Sequence, residues 1–360
     1  MKNFSFLNQF QFKVLLVAVL LGAALRYLPH LFYGNKRIYE KELPIHVIDD
    51  FLSEDNIVEL LDWIKKERRF ATAVEASSQG VVSIGEDEPV LPNGGCQSQI
   101  FVSNGEFCHV GGRMDIFAHY AKTGGFYGAK ETIEKLFSSI YSFINYYPDK
   151  VNDPIIKKLF ESDSYKKSIK NMCSAGLDLD NDENIKFHPL QVNIVMIPPG
   201  MVLPLHQDNQ WYWGINQRSA PDWLLHAMKE SGLYDSIMIP QAQGVAYLHG
   251  TADEPVYSNG GRYLYYPNGP GGKVKSIPPK RGQAIIMDGG QTIHGVERTH
   301  PGHITGNLRR GAFNRIEYQG NETWYVLSDN DLVDVYKTKD FRITFVWRGL
   351  CFKDEEEQNK

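Results

Sequence analysis

The sequence predicts a mainly β fold, a sandwich or jelly roll, buttressed by helices at its N-terminal end. Three observations predict it. Helical periodicity is concentrated before residue 170, while from Phe187 onward the chain reads as short β-branched runs. Gly-rich turn clusters separate those runs. Gly (32) and Pro (18) together are a little above average usage in 360 residues, which favours strands and turns over a helical bundle. The 42% hydrophobic and 22% charged content excludes a disordered or collagen-like chain. A net charge of −5 gives no global basic field, so no nucleic-acid partner is expected. Four Cys without a CxxC pair exclude a disulfide-built scaffold and a structural zinc site.

The elements follow in order. Val14 to Leu25 is twelve apolar residues, preceded by Lys2 and Lys13 and ending in Gly22-Ala23-Ala24. Its length suits a signal-peptide core better than a complete span, and an anchor reaching Tyr33 must tolerate Arg26, Pro29 and His30. Residues 1–33 are therefore expected to be a signal anchor or a cleaved signal peptide, with 34–43 a polar stem. Either expectation places the body in the secretory pathway or outside the cell. The anchor would hold it to a membrane with the body lumenal, although the flanking charges do not fix the orientation. Asn321-Glu322-Thr323 is a glycosylation triplet compatible with that route. Cys96 and Cys108 could bridge there, and free buried thiols are the equal alternative.

Pro44 to Leu52 reads as a short strand and an acidic turn, after which Ser53 caps a helix through Ile57, Leu60, Leu61 and Ile64. Residues 72–125 read as loops and short strands. Residues 126–170 read as helical, with Ile133, Leu136, Phe137, Ile140 and Phe143 at helix spacing. Asn171 to Glu183 is expected to be a polar break. Strands are expected at 191–197, 245–248, 262–266, 284–287 and 342–347, and residues 353–360 as an acidic tail.

The chemistry concentrates at His206-Gln207-Asp208. On an extended segment residues i and i+2 share a face, so one imidazole and one carboxylate can meet the same metal. A second candidate ligand, His294, begins a strand after the turn Asp288-Gly289-Gly290. Two His and one Asp without a fourth ligand match the facial triad of non-haem Fe(II) oxygenases. Its three open positions admit an oxo-acid and dioxygen. The distal carboxylate of 2-oxoglutarate calls for a buried guanidinium, and Arg342 with Thr344 on one strand face fits this. Arg310, sixteen residues after His294, is the competitor.

With these residues in hand, the sequence resembles the Fe(II)/2-oxoglutarate-dependent dioxygenases of the prolyl-4-hydroxylase-like branch. The resemblance covers residues 44–352. It rests on the entry segment Pro44 to Ser53, on Pro199-Gly200 leading to His206-Gln207-Asp208, on Gly260-Gly261 before Tyr263 to Pro267, and on Pro279 to Val296. It implies one catalytic domain with a double-stranded β-helix core at about 185–352, iron held by His206, Asp208 and His294, and hydroxylation of a C–H bond with release of succinate and CO2. Ascorbate is a candidate accessory reductant, and a protein or peptide side chain the first substrate class to consider. Two departures stand out. Ile197 occupies the place where many relatives carry a Tyr that touches 2-oxoglutarate. Arg342 also lies 48 residues past His294, which implies an insertion in the intervening hairpin.

Two readings from other classes remain: a zinc hydrolase using the same triad, and a jelly-roll binding module without turnover. Trp211-Tyr212-Trp213 could form a substrate platform or pack the insert at 209–243. His300 and His303 read as loop residues.

Overall fold

The computed structural model describes residues 42–72, 154–179, 184–215, 222–250, 260–269, 272–300 and 312–359, with short stretches between them. The N-terminal apolar run, Cys96, Arg310 and most of 73–142 lie outside the described residues. Among the described residues no helix is long and apolar enough to cross a membrane.

Strand β1 (Ile45–Ile48) enters, and helix α1 (Glu54–Glu67) follows. Ser53 Oγ accepts from Asn56 N–H, and acidic residues fill the first turn, so both orphan donors and dipole are met. Ile57, Leu60 and Ile64 form the buried stripe of α1. Next come β2 (Arg69–Thr72), the short strands β3 (Glu88–Pro89), β4 (Phe101–Ser103) and β5 (Phe107–Val110), and β6 (Phe143–Tyr147).

Strand β6 corrects the expected helix at Phe143. The aromatic, β-branched run Phe-Ile-Asn-Tyr-Tyr pairs between β2 and the following strand, and that pairing outweighs a helical period read from scattered apolar positions. The helices here are α2 (Pro154–Phe160) and α3 (Asp163–Leu177). Helix α3 runs through the expected polar break and stops at Asp178, which adopts a left-handed conformation.

The remaining strands are β7 (Lys186–Ile197), β8 (Leu203–His206), β9 (Trp211–Tyr212), β10 (Met238–Ile239), β11 (Gln241–Tyr247), β12 (Tyr263–Tyr266) and β13 (Lys275–Ile277). They continue with β14 (Ala284–Met287), β15 (Ile293–Val296), β16 (Asn314–Gly320), β17 (Thr323–Ser328), β18 (Asp331–Lys337) and β19 (Arg342–Phe352). Helix α4 (Asp222–Ser231) lies between β9 and β10. The acidic tail forms one turn, α5 (Glu355–Gln358), capped by Asp354.

Two sheets define the fold. One contains the run β14-β11-β19-β7, and the other has the order β13-β12-β15-β8, all antiparallel. Successive core strands alternate between the sheets except for the β12–β13 hairpin. That winding is a double-stranded β-helix, in which the last strand, β19, slots between β7 and β11. The larger sheet extends past β7 through β6, β2, β16, β17 and β18. Strands β16 to β18 are the insertion between β15 and β19. The glycosylation triplet sits at their first turn, where Asn321 has φ 49.

Helix α3 packs on the outer face of the larger sheet, against β1, β7, β11, β14 and β19. Ile343, Phe345 and Trp347 point from β19 into this layer, where Trp347 stacks on Phe51 at 5.2 Å. A disulfide joins Cys173 of α3 to Cys351 of β19. The sequence offers Cys96 with Cys108 as a candidate pair and free thiols as the equal alternative; Cys96 lies outside the described residues. The opposite face of β19 looks into the barrel, and the site lies there.

Candidate metal centre

His206 ends β8 and stands directly opposite His294 on β15, with ring centroids 4.3 Å apart. Strand geometry ends at His206, so the i, i+2 rule alone does not place Asp208. Its backbone N–H donates to the Gly289 carbonyl at 2.8 Å and draws the residue in. One nitrogen from each His and one oxygen of Asp208 lie within 4.8 Å of one another. The structure thus brings together the three residues that the spacing nominated.

The donor atoms are set by their neighbours. His294 Nδ1 is 2.8 Å from the Thr292 carbonyl, so it carries the proton and donates. Nε2 is left with its lone pair and faces Asp208 Oδ2 at 3.8 Å. Asp208 Oδ1 accepts instead from Arg348 Nη2 at 2.7 Å. Two imidazoles and one carboxylate, with His294 and Asp208 buried, form the donor set that suits Fe(II).

Amides staple the two ligand-bearing loops. Gln207 Nε2 donates to the Gln291 carbonyl at 2.7 Å, and Gln241 Nε2 to Asn209 at 3.0 Å. Gln210 Nε2 bonds Asp208 and Gly290 carbonyls. Asp288 accepts from the N–H groups of Gly290 and Gln291 and closes the turn. Burial pushes the Asp288 carboxyl up, and these bonds pull it back. Gly289 is required here because a Cβ would fall 2.4 Å from Asp208 Oδ2 and 2.3 Å from Gln243 Oε1.

The other end of the barrel holds Arg342 and Thr344. Arg342 is opposite Ile197, and Thr344 is opposite Val195 and Tyr247. Arg342 is 3% exposed, lies 5.1 Å over the Tyr247 ring and donates from Nε to Gly261 at 3.1 Å. It has no carboxylate partner among the described residues, and its Nη2 is buried without an acceptor there. Burial lowers its pKa, and Tyr247 opposes that shift. Beside it, burial and then Arg342 push His249 down to about 3. Ile197, across from Arg342, joins Val195, Met201 and Val296 in an apolar patch.

Several readings resolve differently. Tyr212 packs under α4 with Leu225, and Trp213 packs on Phe352. Packing of the insert therefore accounts for these two aromatics. His303 bonds the Tyr336 hydroxyl, away from the triad. Sequence reasoning missed Arg348; its signal was the Arg342-Thr344-Val346-Arg348 alternation, which puts a second guanidinium on the same face.

No protein-family model matches the chain, and no curated protein matches it. Solved structures do match. A Pseudomonas putida prolyl-4-hydroxylase is 11% identical with a TM-score of 0.35, covering 89% of this chain and 98% of its own. A Trichoplax adhaerens prolyl hydroxylase, in complex with a hypoxia inducible factor peptide fragment, is 13% identical with a TM-score of 0.37, covering 91% and 93%. HygX from Streptomyces hygroscopicus, with nickel, 2-oxoglutarate and hygromycin B bound, is 9% identical with a TM-score of 0.35, covering 86% and 83%. The chain itself, by its own strand order, is a double-stranded β-helix with a His206-Asp208-His294 cluster inside it.

Proposed function

We propose that this chain is an Fe(II)- and 2-oxoglutarate-dependent dioxygenase that hydroxylates a C–H bond. The observation that carries the reading is the pairing of a two-His, one-carboxylate cluster with a buried Arg342 that meets no carboxylate among the described residues, in one barrel. A metal triad alone also suits hydrolysis. A guanidinium left without an anion in an apolar interior calls for an anionic ligand, because an unpaired buried charge is costly.

His206, Asp208 and His294 would hold the iron, and Arg342 with Thr344 would receive the distal carboxylate of 2-oxoglutarate. When bound, iron and 2-oxoglutarate would supply the chemistry by which dioxygen is the oxidant, one oxygen atom going to succinate and the other to the hydroxylated product, with release of CO2. The chain's own residues do the rest. Thr292 fixes the His294 tautomer, and the amide staples hold both loops in register. The apolar patch of Ile197, Val195, Met201 and Val296, with Ile197 and Val195 opposite Arg342 and Thr344, would help exclude water beside those two residues. His249, neutral near pH 7, adds no competing cation beside Arg342.

A protein or peptide side chain is the substrate class proposed, on the sequence resemblance. The compartment proposed is the secretory pathway or the cell exterior. The Cys173–Cys351 disulfide supports it, because such bonds persist in oxidising surroundings. Full-length protein should release succinate from 2-oxoglutarate only with Fe(II) added. His206→Ala and Asp208→Ala should abolish that release while the protein stays folded. Succinate release by a folded double variant at the wild-type rate would refute the reading.

A further inference from the structure

We propose that Arg348 is a positioning residue that restricts Asp208 to one metal-facing oxygen. The inference rests on the metal-binding reading above and deepens it. Arg348 Nη2 lies 2.7 Å from Asp208 Oδ1, with both side chains less than a tenth exposed. The other oxygen, Oδ2, is the one 3.8 Å from His294 Nε2. The carboxylate is therefore divided: one oxygen belongs to the guanidinium and the other faces the imidazole.

That division has a consequence for coordination. A carboxylate can meet a cation through one oxygen or through both. A guanidinium on Oδ1 engages the lone pairs a chelating mode would use. Asp208 then offers one atom, and the triad three in all. That would leave positions on a bound metal open for cosubstrate and dioxygen. Without Arg348 the carboxylate could rotate to bind through both oxygens and close one of them.

Arg348 is placed to do this rigidly. It sits on the central strand β19, opposite Gln243 of β11, on the same face as Arg342 and Thr344. Its charge acts in the opposite direction, because a guanidinium near the site repels a divalent cation. The two effects predict opposite signs for its removal. Loss of orientation weakens metal binding, typically by about 10–100-fold for groups that orient ligands. Loss of repulsion strengthens it.

The test is titration of full-length protein with Co(II) alone, reading affinity and the visible d–d bands, which respond to coordination number. Arg348→Gln should bind Co(II) about 10–100-fold more weakly and show altered bands. Arg348→Lys, which keeps the charge but not the fork, should recover part of both. Near-UV circular dichroism identifies folded variants, and Arg348→Lys carries the same two readouts if Arg348→Gln does not fold. Wild-type affinity and bands in a folded variant, or tighter binding, would overturn the assignment of Arg348 alone. Co(II) binding that is no weaker in His206→Ala than in wild type would overturn the metal reading, and this inference with it.

Discussion

Gly244 and Trp347 stand directly opposite one another across β11 and β19, and the indole lies over the glycine. A Cβ at position 244 would fall 1.8 Å from Trp347 Cζ2. Trp347 is fully buried among Phe51, Tyr165 and Phe160, so it has nowhere to move. Gly244→Ala should therefore cost about 3 kcal/mol, the upper end of overpacking effects. Chemical denaturation measures it. In the double variant with Trp347→Leu the two penalties should add to less than their sum, because the clash is gone.

Gly289→Ala should separate function from folding. The added methyl meets Asp208 and Gln243 side chains rather than backbone, so they can shift and the fold survives. The shifted Asp208 carboxylate no longer faces His294. Co(II) affinity should fall at least tenfold, with a stability loss of about 1–2 kcal/mol. Parallel metal titration and thermal unfolding would check this.

Arg342→Met should raise the 2-oxoglutarate KM by about 100-fold or abolish turnover, as expected when one partner of a buried ion pair is removed. Arg310→Met should leave that KM unchanged. A reversed pattern would move the cosubstrate role to Arg310.

His249 makes stability depend on pH. Its folded pKa is lowered to about 3 from an ordinary 6.5. Between those values the unfolded chain binds a proton that the folded chain does not, so stability rises with pH through this window. Moving from pH 7 to pH 5 should cost about 1–2 kcal/mol through this residue. His249→Gln should reduce the slope of unfolding free energy against pH by that amount.

Replacing Cys173 and Cys351 with Ser should cost about 2–5 kcal/mol, because the bridge closes a loop across 178 residues of chain. Denaturant titration with and without reductant should give the same loss in wild type. Metal binding to the folded double variant should persist.

The legible part of the fold was its local chemistry. Ser53 announces α1, and the β-branched apolar run from Gln191 to Ile197 announces β7. His206, Asp208 and His294 were legible because each sits beside a turn that the sequence spells out in Pro and Gly. Phe143 misled because helix spacing among apolar residues does not reveal that β2 and β7 are waiting on either side. Arg348 and Asp208 are 140 residues apart, as are most partners across a barrel, and nothing in either neighbourhood names the other. The Cys173–Cys351 bridge was hidden in the same way, since α3 reaches β19 only once both sheets have closed.

The position of β19 governs when the site comes into being. Its neighbours are β7, about 150 residues earlier, and β11, about 100 residues earlier, so the pairing that completes the barrel is highly non-local. During synthesis His206, Asp208 and His294 leave the ribosome well before the two arginines that serve them. Until the final strand inserts, β7 and β11 present bare edges to one another, a state open to misassociation. Assembly of the His206-Asp208-His294 centre with its two arginines is thus a late event in biogenesis, tied to the arrival of the last core strand.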